Sequence, residues 1–246
     1  MSQHGVRVLS GRDRELLRFV GEQYLVTLPQ LAYLAGRSER TARWLRTRWQ
    51  RAGLIDGGKL LVDEPTVIWL TRPGLAVLGL AWKTVRPRYA SIPTLAVLVE
   101  LRLAGREQYP QACWIPRRLL SHASPSPSPL PDAILTTSDA TVAIVAKARE
   151  LHRRELEQQV LPLIADYDRV LLVVPEAGRH TRQWFDELAG HASVLAHQRD
   201  PTCVTLPVLP TLAPLESPPT AEAGWPMPRR VDPYGDFPTS PHTDVV

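Results

Sequence analysis

Between Ser38 and Ala52 the chain reads SERTARWLRTRWQRA, and winding it at about 100° per residue separates two faces. Thr41, Ala42, Leu45, Trp49 and Ala52 gather on one side. Arg40, Arg43, Trp44, Thr47 and Arg51 gather on the other, with Arg48 at the edge. The Ser38 hydroxyl is placed to accept from free amides of the first turn, and Gly53 stands where a residue without Cβ turns left-handed cheaply. The pattern predicts a helix with an apolar back and an arginine-rich front.

The same period precedes it. Leu16, Leu17, Val20 and Tyr24 predict a first helix from Gly11, after a loose lead-in over residues 1–10. Thr27-Leu-Pro-Gln30 reads as a capping box, opening a short helix through Leu31 and Leu34 that stops at Ala35-Gly36-Arg37. Two helices joined by a short glycine-containing turn are the helix-turn-helix signature, the second of them entering the groove. The period then shortens. Leu60–Val62 and Val67–Leu70 predict a hairpin whose tip is Asp63-Glu64-Pro65-Thr66, with Gly57-Gly58 as its start. From Thr71-Arg-Pro-Gly a closing helix runs through GLAVLGLAW to Trp82. This order predicts a winged helix over residues 10–82.

The basic stretch KTVRPRYASIP, residues 83–93, reads as a linker held extended by Pro87 and Pro93. Residues 94–206 predict a small α/β domain. Its expected elements are an apolar helix over Thr94–Ala104, a short strand over Gln111–Ile115 and a helical turn over Pro116–His122. A Pro/Ser spacer occupies residues 121–131. Strands over 133–137 and 141–146 precede a long helix over 147–165, disturbed by Pro162. A fully buried strand over 170–174, an amphipathic helix over 180–189 and closing strands over 194–196 and 203–206 complete it. Residues 207–246, ten of them proline, predict a disordered tail in which Trp225 and Tyr234 are stray aromatics or docking anchors. The expected fold class is α+β.

Charge gives this pattern a direction. Net charge is only +4, yet residues 1–60 hold eleven basic against five acidic side chains. A basic helical domain points to nucleic acid, because arginine forks onto guanine O6 and N7 or onto phosphate. The expected groove contacts are Arg40, Arg43, Thr47 and Arg51. Arg48 and Lys59 are expected on phosphates, the hairpin tip being acidic. Trp44 either packs on a sugar or thymine methyl or folds back onto the hairpin as core. The expected partner is double-stranded DNA; a homodimer and a protein partner for the Pro-rich tail stay open. Cys113 and Cys203 lie far apart without metal-ligand spacing, and His152 and His180 have no acidic partner at a telling distance. No run approaches eighteen apolar residues and no apolar signal core opens the chain, so a cytoplasmic protein without membrane contact is expected. No cofactor is implied.

Taken as an ordered set, RDRELLRFVGEQYLVTLPQLAYL, TARWLRTRWQRAGLI, PDAIL, VAIVAKARELHRRE and YDRVLLVVPE resemble the replication-relaxation family of actinobacterial plasmids and integrative elements, over roughly residues 11–190. The resemblance implies a winged helix followed by a small α/β domain of restriction-endonuclease-like pattern, serving replication, transfer or transcription control. Such a nuclease site needs a carboxylate at one strand's start, then a second carboxylate two residues before a lysine on the next. Together they hold Mg²⁺ and orient the attacking water. Asp132 supplies the first acid, but the triplet is Val145-Ala146-Lys147, with valine where the second belongs. Asp139 and Glu150 do not fit the spacing. Asp132 and Lys147 therefore read as vestiges, with no metal held and no catalysis expected. Two alternatives remain: a metal-dependent nuclease with a rearranged site, and an adaptor binding proteins through the winged helix and the tail.

Overall fold

The computed structural model describes residues 9–60, 65–123, 129–138, 140–147, 152–175, 183–184 and 202–206. These form a mixed α+β structure around two sheets.

Helix α1 (Gly11–Glu22) starts at a reciprocal capping box between Ser10 and Asp13. A two-residue strand, β1 (Val26–Thr27), leads directly into α2 (Leu28–Leu34). Both bonds of the expected second capping box are made: the Thr27 amide donates to Gln30 Oε1 at 2.9 Å, and the Gln30 amide donates to Thr27 Oγ1 at 3.4 Å. Helix α3 (Glu39–Arg51) follows, its first turn capped by Ser38. Gly36 (φ 57°) ends α2 and Gly53 (φ 71°) ends α3. Each is followed by the paired backbone bonds of a Schellman motif: Gly36 to Tyr33 O with Arg37 to Ala32 O, and Gly53 to Gln50 O with Leu54 to Trp49 O.

The hairpin is present but starts earlier than its β-rich letters suggest. Strand β2 is Ile55–Gly58, paired antiparallel with β3 (Val67–Leu70) from Ile55↔Leu70 to Gly58↔Val67. Leu60 lies outside the strand, and residues 61–64, including the acidic tip, lie outside the described residues. The register is set at the helix end, where the Thr71 amide donates to Leu54 O at 3.1 Å. Gly57 is used inside the strand rather than as a hairpin start: a Cβ there would stand 2.3 Å from Val67 O. β1 adds a third strand on the other side of β3, giving the order β1-β3-β2. The closing helix α4 (Arg72–Val77) stops well before Trp82, with Gly79 at φ 68°. Leu80 and Trp82 pack on the core without being helical.

The linker is free of regular secondary structure only as far as Arg88. Tyr89–Ser91 forms a 3-10 turn and α5 runs from Ile92 to Gln108, with Pro93 in the first turn where its missing N–H matters least. Helix α5 serves two cores. Val99 and Leu103 join Leu17, Val20, Leu31, Trp49 and Ile68 in the first, while Leu98 packs with Ala133, Ile144 and Val173 in another. Polar ties strengthen the first contact: Gln30 Nε2 donates to Ala96 O at 2.8 Å, and Arg102 pairs with Glu22 at 2.7 Å.

The second sheet comprises β4 (Cys113–Pro116), β5 (Ala133–Thr136), β6 (Thr141–Ala146), β7 (Arg169–Pro175) and β8 (Thr202–Leu206), in that order. The first two pairings are antiparallel and the last two parallel. Helix α6 (Arg117–Ala123) follows β4 and takes the first residues of the expected spacer; residues 124–128 lie outside the described residues, and Pro131 is buried. Helix α7 (Arg153–Asp166) begins later than expected. Lys147 still belongs to the sheet's end, its amide donating to Val173 O at 2.8 Å, and residues 148–151 are outside the described residues. Pro162 lies inside α7 as foreseen. Along β6, Ala143 and Val145 face α7 while Ile144 and Ala146 face α5, so the central strand is apolar on both sides. Of the expected helix over 180–189 only Gln183 and Trp184 are described, both helical; the strand over 194–196 and the tail over 207–246 fall outside.

Candidate nucleic-acid interface

Helix α3 separates its faces as the periodicity demands. Ala42 and Trp49 are buried, and Arg40, Arg43, Trp44, Thr47 and Arg51 are exposed. Ala52 departs from the expected apolar face: it is the exposed C-cap. Trp44 points to solvent at 59% exposure, which removes the alternative of a core residue under the hairpin. Thr47 Oγ1 donates to Arg43 O at 2.9 Å, leaving the hydroxyl oxygen as an acceptor. Arg43 pairs with Glu39, one turn back, at 3.0 Å. Both partners are largely exposed, so the pair contributes only about 0.3–0.5 kcal/mol and yields readily to a phosphate. Lys59 is exposed just past the end of β2.

Arg48 is placed differently. Its Nη2 donates to Asp13 Oδ1, and its guanidinium stacks 4.8 Å from the Trp44 ring centroid. Asp13, buried in the first turn of α1, also accepts from Trp49 Nε1 at 3.1 Å and from Ser10 Oγ at 2.7 Å. Arg48 thus joins α3 to α1 and props the indole of Trp44 rather than standing free for a phosphate. The sequence reading overlooked Asp13; its signal was the Ser10-x-x-Asp13 spacing. Exposed Arg37, in the turn between α2 and α3, was overlooked too. Arg12, by contrast, is taken up by the carbonyl of Ala35, which it caps.

Asp132 and Lys147, fifteen positions apart in sequence, do meet: Nζ lies 4.0 Å from Oδ2. The carboxylate is otherwise engaged. Oδ1 accepts from Arg117 Nη1 at 2.9 Å and Oδ2 from the Ala146 amide at 3.0 Å. These bonds lock the start of β5 to the end of β6. Val145, at the place of the second acid, is 3% exposed and packed with Leu156, Val160 and Leu172. Among the described residues no three His, Cys, Asp or Glu side chains converge on a metal-sized site. No described helix is long and apolar enough to cross a membrane.

Neither a protein-family model nor a curated protein matches the chain. A solved structure of a multiple antibiotic resistance repressor, MarR, is similar over 42% of this chain at 13% identity with a TM-score of 0.27. The chain covers 64% of that repressor's length. At that score the likeness carries no argument about fold or activity, and the reading below rests on the chain's own geometry.

Proposed function

We propose that the chain binds double-stranded DNA, with α2 and α3 as a helix-turn-helix, the β2–β3 hairpin as the wing of a winged helix, and α3 in the major groove. One observation carries this: α3 buries Ala42 and Trp49 and packs Leu45 on the core, while Arg40, Arg43, Thr47 and Arg51 stand exposed together on the opposite face. Those side chains supply forks for guanine or phosphate and a hydroxyl for a base edge. Lys59 and Arg37 flank the helix and suit backbone contacts that fix its register.

The sheet half is read as a nuclease-like fold without catalysis. The nuclease-like fold rests on the resemblance, and two observations support the lack of catalysis: the Asp132 carboxylate accepts from Arg117 and the Ala146 amide, and Val145 is core. The resemblance to the replication-relaxation family supplies the setting, which is replication, transfer or transcription control of a plasmid or other mobile element, in the cytoplasm. A homodimer reading two half-sites fits such a role.

The test is electrophoretic mobility with duplex DNA. The triple variant Arg40→Ala/Arg43→Ala/Arg51→Ala is expected to bind at least about 100-fold more weakly, with an unchanged melting temperature, since each lost contact accounts for roughly 1 kcal/mol or more. Equal binding by the variant would overturn the interface. In parallel, supercoiled plasmid with Mg²⁺ or Mn²⁺ is expected to remain intact. Nicking that disappears in Asp132→Asn would establish the metal-dependent nuclease instead.

A further inference from the structure

A cleft of about 460 Å³ lies between α5, the β4–α6 corner and the segment leading into α5. Its volume falls in the range of small-molecule sites. Pro87, Leu95 and Leu98 form an apolar wall, and four cations, Arg86, Arg88, Arg117 and Lys147, border it. Of the two carboxylates that border it, Glu22 pairs with Arg102 outside the cleft, while Asp132 pairs within it with Arg117 and, at 4.0 Å, with Lys147, leaving Arg86 and Arg88 as the uncompensated charge. Arg86 and Arg88 are exposed and have no ion-pair partner among the described residues.

One further feature marks the same place: Tyr24 holds φ at 66°, a conformation that bulky residues adopt rarely and that concentrates at binding sites. The Arg118 guanidinium, 4.8 Å from the Tyr24 ring centroid, holds that ring in place.

We propose that the cleft binds a small organic anion. Its acid group sits on Arg86 and Arg88, and its apolar body lies against Leu95 and Leu98. The apolar wall decides for a small molecule over a nucleic-acid backbone, because phosphodiester groups need the cations but not the wall. This site is separate from the arginine face of α3 and stands whether or not that face binds DNA.

The probe is 8-anilino-1-naphthalenesulfonate, an aromatic sulfonate whose emission rises in apolar surroundings, titrated into the full-length protein. Saturable binding of one dye per chain is expected. Arg86→Ala/Arg88→Ala is expected to weaken it about tenfold or more, and the uncharged analogue N-phenyl-1-naphthylamine to bind about tenfold more weakly than the sulfonate. Arg43→Ala is expected to bind the dye as the parent does. The proposal is overturned by non-saturable binding, by equal affinity for the two dyes, or by unchanged affinity in the Arg86/Arg88 variant.

Discussion

Asp13 is the joint between α1 and α3, and replacing it measures how much that joint contributes. In Asp13→Ala the Trp49 indole N–H, on a ring 1% exposed, loses its acceptor. An orphaned buried donor costs about 1–3 kcal/mol. Arg48 loses its carboxylate, but with a third of its side chain exposed it regains water, so only about 0.5–1 kcal/mol belongs to that pair. The capping-box bonds to Ser10 add about 0.5–1 kcal/mol. A destabilisation of about 2–5 kcal/mol follows, equivalent to a fall in melting temperature of roughly 4–20 °C for a chain of this size. Asp13→Asn retains an oxygen for the indole and should lose about half as much. Urea unfolding followed by tryptophan fluorescence and circular dichroism reads these values. A cycle with Arg48→Ala should show coupling, since the two side chains touch. A loss below about 1 kcal/mol in Asp13→Ala, or strict additivity with Arg48→Ala, would refute the joint.

Four further outcomes follow from the same geometry. Arg48→Ala should lower stability more than it lowers DNA affinity, and Arg43→Ala should do the reverse; urea midpoints and DNA dissociation constants for both variants check the split. Arg118→Lys should cost about 2–4 kcal/mol in urea unfolding, because the guanidinium donates to Gly21 O at 2.6 Å and to Lys83 O at 2.5 Å while stacking between Tyr24 and Trp82, and an ammonium cannot do all of this. Burial pushes the Glu100 carboxyl above its ordinary value, against the lowering effect of its hydrogen bond from Gln30. The folded chain therefore holds that proton more tightly than the unfolded chain. Stability from this group is full below the ordinary carboxylate pKa and is lost as pH rises through the raised one. Glu100→Gln should accordingly stabilise the protein at neutral pH and not in acid, as measured by melting temperature across a pH series. Gly57→Ala should destabilise by more than about 2 kcal/mol in urea unfolding, since its Cβ would stand 2.3 Å from Val67 O; a neutral result would dispute the strand register.

Local signals were the legible part of the chain. The Thr27–Gln30 box, the Ser38 cap and the glycine ends of α2 and α3 act within four residues, so sequence spacing alone locates them. The hairpin slipped because Leu60–Val62 has the stronger β letters, whereas its register is decided by Leu54 and Thr71, seventeen positions apart. β1 is too short to show a period at all. The double role of α5 was masked by treating its apolar spread as one stripe; Leu98 and Val99, adjacent in sequence, serve different cores. On α3, periodicity separated the buried Ala42 and Trp49 from the exposed Arg40, Arg43, Trp44, Thr47 and Arg51, but it misplaced Ala52, which is exposed. It could not show that Arg48 meets a carboxylate thirty-five residues away, because an ion pair of that separation leaves no trace in the helix's own pattern. Asp132 and Lys147 do come together, yet their partners Arg117 and Ala146 become visible only once β4, β5 and β6 are aligned.

The central claim is that α3 presents a phosphate- and base-seeking face, and its most direct test is fluorescence anisotropy of the full-length protein with duplex DNA across a salt series. Several simultaneous phosphate contacts predict that log K falls against log salt with a slope of about −4 to −8, and that Arg51→Ala flattens it by about one unit. Absent or salt-independent binding would contradict the account and assign the arginine face of α3 to a protein partner.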